Sequence, residues 1–306
     1  MSGILDLLKN EAAHKKRSSV YPMSGADTAA FVPQPTAAGI GEPSGRETSE
    51  TPLASVVQLT RAQSEEEIIP AEEFDFSNAT AQMQRALDPG TILGEQFRIL
   101  RTRLSLMQKQ NGIKTILITS TFPQEGKSFT SHALAGVMAQ ELDKRVLVID
   151  ADMRKLGSGR EYGLNISSET AGTAQVLQKT SEFRKTLLKA SNPEFWFLPS
   201  GALPPNPSEL LSSQEMEKML RFAAGKFDWI IVDSPPALAL SDPNLIAPLC
   251  DTIVFVVRAN STPSKFAQEA MNKIGRDHIC GIVLNRKKQV HSSRNYYQYY
   301  YYKNKK

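Results

Sequence analysis

From about residue 92 to residue 284 the chain alternates two kinds of apolar spacing. Six short runs, beginning at Ile116, Arg145, Phe195, Trp229, Thr252 and Ile279, are apolar on consecutive positions, the pattern of strands buried on both faces. Between them lie stretches with helical spacing. Phe97, Leu100, Leu104 and Met107 line one side of a helix over 92–107, and Ala133, Leu134, Val137 and Met138 do the same after Ser128. A further helix is predicted from Pro207 or Ser208 to about Phe222, and another from about Pro263 to Ile274. Strands separated by helices and apolar on both faces specify an α/β fold, a doubly wound and mostly parallel sheet with helices on both faces. Such sheets bind ligands at the carboxyl ends of their strands.

The pattern fades at both ends. Met1 to about Lys16 has the spacing of a short amphipathic helix, with Ile4, Leu5, Leu7 and Leu8 on one side, suited to a partner or a membrane surface or simply a frayed start. From Arg17 to about Glu73 the chain is rich in Ser, Thr, Pro, Gly, Ala and Glu without periodicity, the composition of a linker. The chain therefore divides into a flexible region with a candidate docking helix (1–88), a folded domain (89–285) and a tail (286–306). Leu156–Ser191 carries little signature.

Composition changes this picture in one place. The chain of 306 residues has a net charge of +4, yet the tail alone holds seven Lys or Arg and no acid. A basic tail suits nucleic acid, an anionic membrane or an acidic partner. Cys250 and Cys280 lack metal-ligand spacing and read as reduced core cysteines. No apolar run approaches the ~18 residues of a membrane span, so a soluble, cytoplasmic protein is expected.

The carboxyl ends of the strands hold the candidate chemistry. Ile116-Leu-Ile-Thr-Ser-Thr-Phe-Pro-Gln-Glu-Gly-Lys-Ser128 is a strand, a turn and a helix start. Unpaired N–H groups at a helix N-terminus favour phosphate. In this cradle Lys127 reaches the phosphates and the Ser128 hydroxyl takes a position on Mg²⁺. Thr121 stands where the G-x-x-x-x-G-K-[ST] pattern has its first Gly, and Gln124 falls in the turn. Asp150 and Asp152 end the second strand and Asp233 ends the fourth, each placed to face the phosphates. Asp233 is the expected carboxylate on the metal side. Of Asp150 and Asp152, one is expected to hold a metal-bound water and the other to take a proton from a nucleophile.

The tail adds an acceptor. Tyr296, Tyr297, Tyr299, Tyr300, Tyr301 and Tyr302 are six of the chain's eight tyrosines, and they have no period and no following chain to pack against. Stacking on single-stranded nucleic acid and acceptance of phosphate are the two readings.

Together these motifs resemble the bacterial tyrosine kinases of capsule and exopolysaccharide assembly, P-loop NTPases related to the cell-division and partition ATPases. The likeness covers roughly 90–306 and is carried by Pro123-Gln-Glu-Gly-Lys-Ser128, Val148-Ile-Asp-Ala-Asp-Met-Arg154, Ile231-Val-Asp-Ser-Pro-Pro236, the Pro-Pro-Asn-Pro-Ser-Glu-Leu-Leu-Ser-Ser segment after Leu203, and the tyrosine cluster. It implies a tyrosine autokinase using ATP and Mg²⁺. Nucleotide would be bound by Gln124, Glu125, Gly126, Lys127, Ser128, Phe129 and Asn285, and metal by Ser128, Asp150 and Asp233. Lys127, Asp150 and Asp152 would be catalytic, and the six tail tyrosines would be the autophosphorylation sites. The spacing of Glu95, Arg98 and Arg101 alone suits a surface helix with weak ion pairs; the resemblance makes it the subunit contact of a ring-like homo-oligomer. With the tail starting directly after the last strand, too short to return to its own P-loop, transfer between subunits is expected. The resemblance further implies a separate membrane-spanning polysaccharide co-polymerase that activates the kinase and recruits it to the inner face of the membrane, and a protein-tyrosine phosphatase. Nucleic acid is not an expected partner. The rival reading is a nucleotide-switch ATPase of the partition or division-site type, which carries a second lysine where Phe122 stands and has no tyrosine tail.

Overall fold

The computed structural model of the protein describes residues 71–156 and 158–286. The helix expected over 1–16 and the tyrosines of the tail lie outside the described residues. The strands are β1 (Glu72–Phe74), β2 (Thr115–Ser120), β3 (Val146–Asp150), β4 (Leu188–Ser191), β5 (Glu194–Leu198), β6 (Trp229–Asp233), β7 (Thr252–Arg258) and β8 (Ile279–Asn285). They form one sheet in the order β1-β4-β5-β3-β6-β2-β7-β8. Every neighbouring pair is parallel except β4 and β5. The middle strands β2, β3 and β6 are buried at every position, as their unbroken apolar runs require.

The helices are α1 (Ala81–Leu87), α2 (Ile92–Asn111), α3 (Lys127–Met138), α4 (Thr173–Leu177), α5 (Phe183–Thr186), α6 (Pro207–Leu211), α7 (Gln214–Ala224), α8 (Asp242–Ile246) and α9 (Ser264–Ile274). One core joins alternate strand residues, among them Ile116, Ile118, Val148, Ile231 and Val254, to α1, α2 and α3. The other strand residues, such as Leu117, Leu147, Ile149, Ile230 and Val232, are equally buried, so the sheet is covered on both faces.

Two boundaries differ from the sequence reading. Residues 72–87 form elements of the folded body, where the domain division places them in the flexible region 1–88. The side chain of Thr80 caps α1 through Met83 N, and Met83, Ala86 and Leu87 are buried. Burying Met83 and Leu87 stabilises by roughly 1.5–3 kcal/mol each, which fixes a seven-residue helix that is too short to persist alone. The helix expected over 207–222 is two helices. Ser212 and Ser213 interrupt it, their hydroxyls donating to Glu209 O and Leu210 O, and the extended Ser213 starts α7.

The helix bearing Glu95, Arg98 and Arg101 is α2, capped at Thr91 and ended by Gly112 in the left-handed conformation. Its arginines bind within the chain. Arg98 pairs with Glu95 and donates to Leu87 O at the end of α1; Arg101 donates to Val137 O at the end of α3 and pairs with Glu141. Each guanidinium satisfies a carbonyl in a last helical turn, where cations are favoured.

Candidate active site

Strand β6 lies between β2 and β3, and the register sets Asp233 beside Ile118 on one side and Asp150 on the other. The chain leaving β2 turns into α3 at Gly126, so the helix start and both strand-end carboxylates meet at one edge. Gly126 has φ +94°, and a Cβ there would lie 1.9 Å from Asn285 Nδ2, so only glycine fits. Gln124 also has a positive φ, 64°. A side chain there is strained by about 1–2 kcal/mol, the physical meaning of a loop that has Gln where glycine is the easy choice. Gln124→Gly is therefore expected to raise the melting temperature by about 2–4 °C, readable by calorimetry.

Lys127 is almost buried, with Nζ 2.9 Å from Asp152 Oδ2, 3.9 Å from Asp233 Oδ1 and 3.3 Å from Ser128 Oγ. Burial pulls its ammonium down, but Asp233, Asp152 and Asp150 outweigh that and hold it above the ordinary lysine value. Asp233 is completely buried. Burial raises its carboxyl, Lys127 and the Ser128 and Ser131 hydroxyls oppose the rise, and the net direction is up. Its Oδ1 faces Ser131 Oγ at 3.2 Å, while its Oδ2 has no hydrogen-bond partner in the protein. Asp150 Oδ1 accepts from Asp152 N at 3.0 Å, shaping the turn after β3.

Lys127, Ser128, Asp150, Asp152 and Asp233 are thus brought together as the sequence reading expects. Three other assigned residues sit differently. The side chain of Phe129 packs edge-on against Phe97, so only its backbone is left as a candidate phosphate contact. Glu125 turns its carboxylate inward, where it accepts from the N–H groups of Thr121 at 2.7 Å and Phe122 at 3.1 Å. Asn285 has both ends of its amide engaged, Nδ2 donating to Glu125 O at 2.8 Å and Oδ1 accepting from Arg286 N at 2.8 Å.

Sequence reasoning overlooked Ser131, although it lies one turn after Lys127 on the same face of α3 and could have been found by that spacing. It also treated Arg154 only as part of a motif. Arg154 forms a forked pair with buried Asp242, at 2.6 and 2.8 Å, and donates to Ser208 Oγ at 2.8 Å. Burial raises the Asp242 carboxyl, but Arg154 and Ser208 reverse this and hold it below the usual range. Arg154 is therefore bound up in pinning the Pro-Asn-Pro-Ser segment and the start of α8 beside the site.

These residues fit Mg²⁺. The ion takes hard oxygens, keeps several waters and needs only one or two carboxylates besides substrate phosphates. Ser128 Oγ and the unpartnered Oδ2 of Asp233 supply such oxygens. Among the described residues no group of three or more His, Cys, Asp or Glu forms a dedicated metal cage.

Comparison with known proteins bears on this arrangement. A family model described as an AAA domain matches residues 113–276. The chain is 34% identical over 227 residues to tyrosine-protein kinase YwqD of Bacillus subtilis, covering 72% of this chain and 94% of that one. It is 30% identical to tyrosine-protein kinase wzc of Salmonella typhimurium, where the match covers 72% of this chain but only 31% of the relative. Among solved structures, the kinase domain of Escherichia coli tyrosine kinase ETK superposes with a TM-score of 0.63 at 32% identity, over 68% of this chain and 81% of that one. With its P-loop, its strand-end carboxylates and relatives of this kind, the chain belongs to the bacterial tyrosine-protein kinase family, an ATP-binding P-loop fold with protein-tyrosine kinase activity.

Proposed function

We propose that the chain is an autokinase that transfers phosphate from ATP to its own tail tyrosines, Tyr296, Tyr297 and Tyr299 to Tyr302, in the neighbouring subunit of a ring. The observation that carries this reading is the convergence of Lys127, Ser128, Asp150, Asp152 and Asp233 at the start of α3, a helix N-terminus with a cation and metal-type oxygens beside it, which suits a polyphosphate with its metal. Lys127 holds the transferring phosphate, and Mg²⁺, when bound, neutralises its developing charge through Ser128 and Asp233. Asp150 takes the proton of the attacking tyrosine, and Asp152, paired with Lys127, would help to order the water of a bound metal. The relatives named as tyrosine kinases favour this reading over a switch ATPase.

The working context proposed is polysaccharide polymerisation and export, with a membrane-spanning co-polymerase as activator and recruiter to the inner face of the membrane, and a phosphatase that resets the tail. Among the described residues no helix is long and apolar enough to cross a membrane. Each phosphotyrosine brings about −1.5 to −2 charges, so five reverse the sign of a tail with seven cations. The modified tail is then repelled by the acids of the site and the ring loosens.

Transfer between subunits rests on the family likeness and the helix bearing Glu95, Arg98 and Arg101, because the expected shortage of reach does not hold. Asn285 contacts the P-loop itself, and the ten residue-to-residue steps from Arg286 to Tyr296 can extend about 33 Å. Mixing decides the matter. A Lys127→Met subunit that keeps its tyrosines is combined with an active subunit whose six tail tyrosines are Phe. Phosphotyrosine is expected on the inactive partner, and its absence, where wild type labels, assigns the reaction to one chain.

A further inference from the structure

Glu125 lies in the middle of the nucleotide loop, yet its side chain is only 2% exposed and faces away from solvent and phosphate alike. Its Oε2 receives the N–H groups of Thr121 and Phe122, at 2.7 and 3.1 Å, which are the first two residues after β2. Its Oε1 receives the Thr262 hydroxyl and, at 3.5 Å, the N–H of Arg258, which closes β7. Its backbone carbonyl receives Asn285 Nδ2 from the end of β8. One residue thus ties the loop to its own first half and to the ends of the two strands beyond it.

The neighbours of Glu125 show why such a tie matters. Gln124 and Gly126 both have positive φ, 64° and 94°. A loop that alternates in this way is not held by intrinsic backbone preference, since a non-glycine residue leaves the left-handed region when free to do so. Something must hold Gln124 there if the N–H groups of Gly126 to Phe129 are to converge on phosphate before phosphate arrives. The buried carboxylate supplies the missing acceptors in the first half of the loop, N–H groups which would otherwise be unpaired in the interior.

We propose that Glu125 is a positioning residue for the kinase reaction: it presets the phosphate-binding half of the loop by bracing it against Thr262 and the β7 and β8 ends, and itself makes no side-chain contact to nucleotide. The inference deepens the ATP-dependent reading of the same site and rests on it. A preset loop lowers the ordering cost of binding, so losing the brace weakens nucleotide affinity more than turnover by the saturated enzyme. It also disturbs the root of the tail, because Asn285, held by the Glu125 carbonyl, in turn holds Arg286 N.

The test compares Glu125→Ala, Glu125→Gln and Thr262→Val in the full chain, using a fluorescent ATP analogue with Mg²⁺ for affinity, tail labelling for KM and kcat, and thermal melting as the control for folding. Glutamine keeps an oxygen for Thr121 and Phe122 and offers its amide to the Thr262 oxygen, so it is expected to bind within about threefold of wild type. Glu125→Ala is expected to raise Kd and KM by about tenfold or more, with kcat changed far less. Thr262→Val removes only the far anchor and is expected to fall between them. If Glu125→Ala does not fold, Thr262→Val decides. Unchanged Kd in the folded alanine variant, or in Thr262→Val where alanine fails, overturns the proposal, as does a glutamine variant as weak as alanine. Failure of wild type itself to bind the analogue overturns instead the ATP-dependent reading on which the brace depends.

Discussion

Replacing Lys127 by Met is expected to abolish tail phosphorylation and to lower ATP affinity by about 10- to 100-fold, the value of a charge-assisted hydrogen bond to phosphate. The effect on rate is larger, roughly a further 10²–10³-fold, because the ammonium acts where charge develops during transfer. The geometry makes the loss unusually complete. Lys127 is the cation that reaches Asp152 at 2.9 Å and Asp233 at 3.9 Å. Without it Asp152 and Asp233 lose their paired cation and repel a bound polyphosphate. Methionine fills the same narrow space along the buried stem, so the fold is retained, although the Asp233 carboxyl moves further above its ordinary range. Titration with an ATP analogue, beside a melting curve, checks the expectation. Wild-type affinity in a folded variant removes Lys127 from the site.

Asp150→Asn is expected to separate binding from chemistry. A tyrosine hydroxyl with a pKa near ~10 is a poor nucleophile at neutral pH, and a carboxylate that takes its proton contributes about 10²–10⁴-fold. Asparagine keeps the oxygen that accepts from Asp152 N, so the turn after β3 survives while the base is lost. Nucleotide affinity should stay within a few fold. Phosphotyrosine, measured by radiolabel or antibody over time, should fall by that 10²–10⁴. Full labelling by the variant would leave Asp150 with the shaping of the turn as its whole task.

The parts of this architecture that could be read from the chain are those fixed by burial. Strands β2, β3 and β6 are buried along their whole length because both faces are covered, and the acids that end β3 and β6 stand where the chain emerges at the ligand edge. Strands β1 and β4 escaped because they are short and mixed, Glu-Glu-Phe and Leu-Lys-Ala-Ser, and exist through pairing with each other and with β5. No local pattern marks a strand of that kind. The site follows the same division. Lys127, Asp150, Asp152 and Asp233 were legible as strand ends and a helix start, whereas Glu125 was read as a nucleotide ligand because its partner Thr262 lies in a distant loop that only the fold brings near. Asn285 was assigned to the base of the nucleotide by likeness, and the structure shows its amide joined to Glu125 and Arg286. That assignment remains a proposal requiring the amide to exchange partners.

The placement of Arg98 and Arg101 on the carbonyls of α1 and α3 bears on how a ring can come apart. A contact built from charges that have no partner in the free subunit gains all of its pairing in the assembly and gives all of it up on dissociation. Here each guanidinium already has a carbonyl and an acid within its own subunit, Leu87 and Glu95 for Arg98 and Val137 and Glu141 for Arg101. In the proposed ring such residues lend orientation without trapping the assembly. On this proposal leaving the ring would not strip these two side chains of their partners, and the charge on the tail, more than this helix contact, would set how long the assembly lasts.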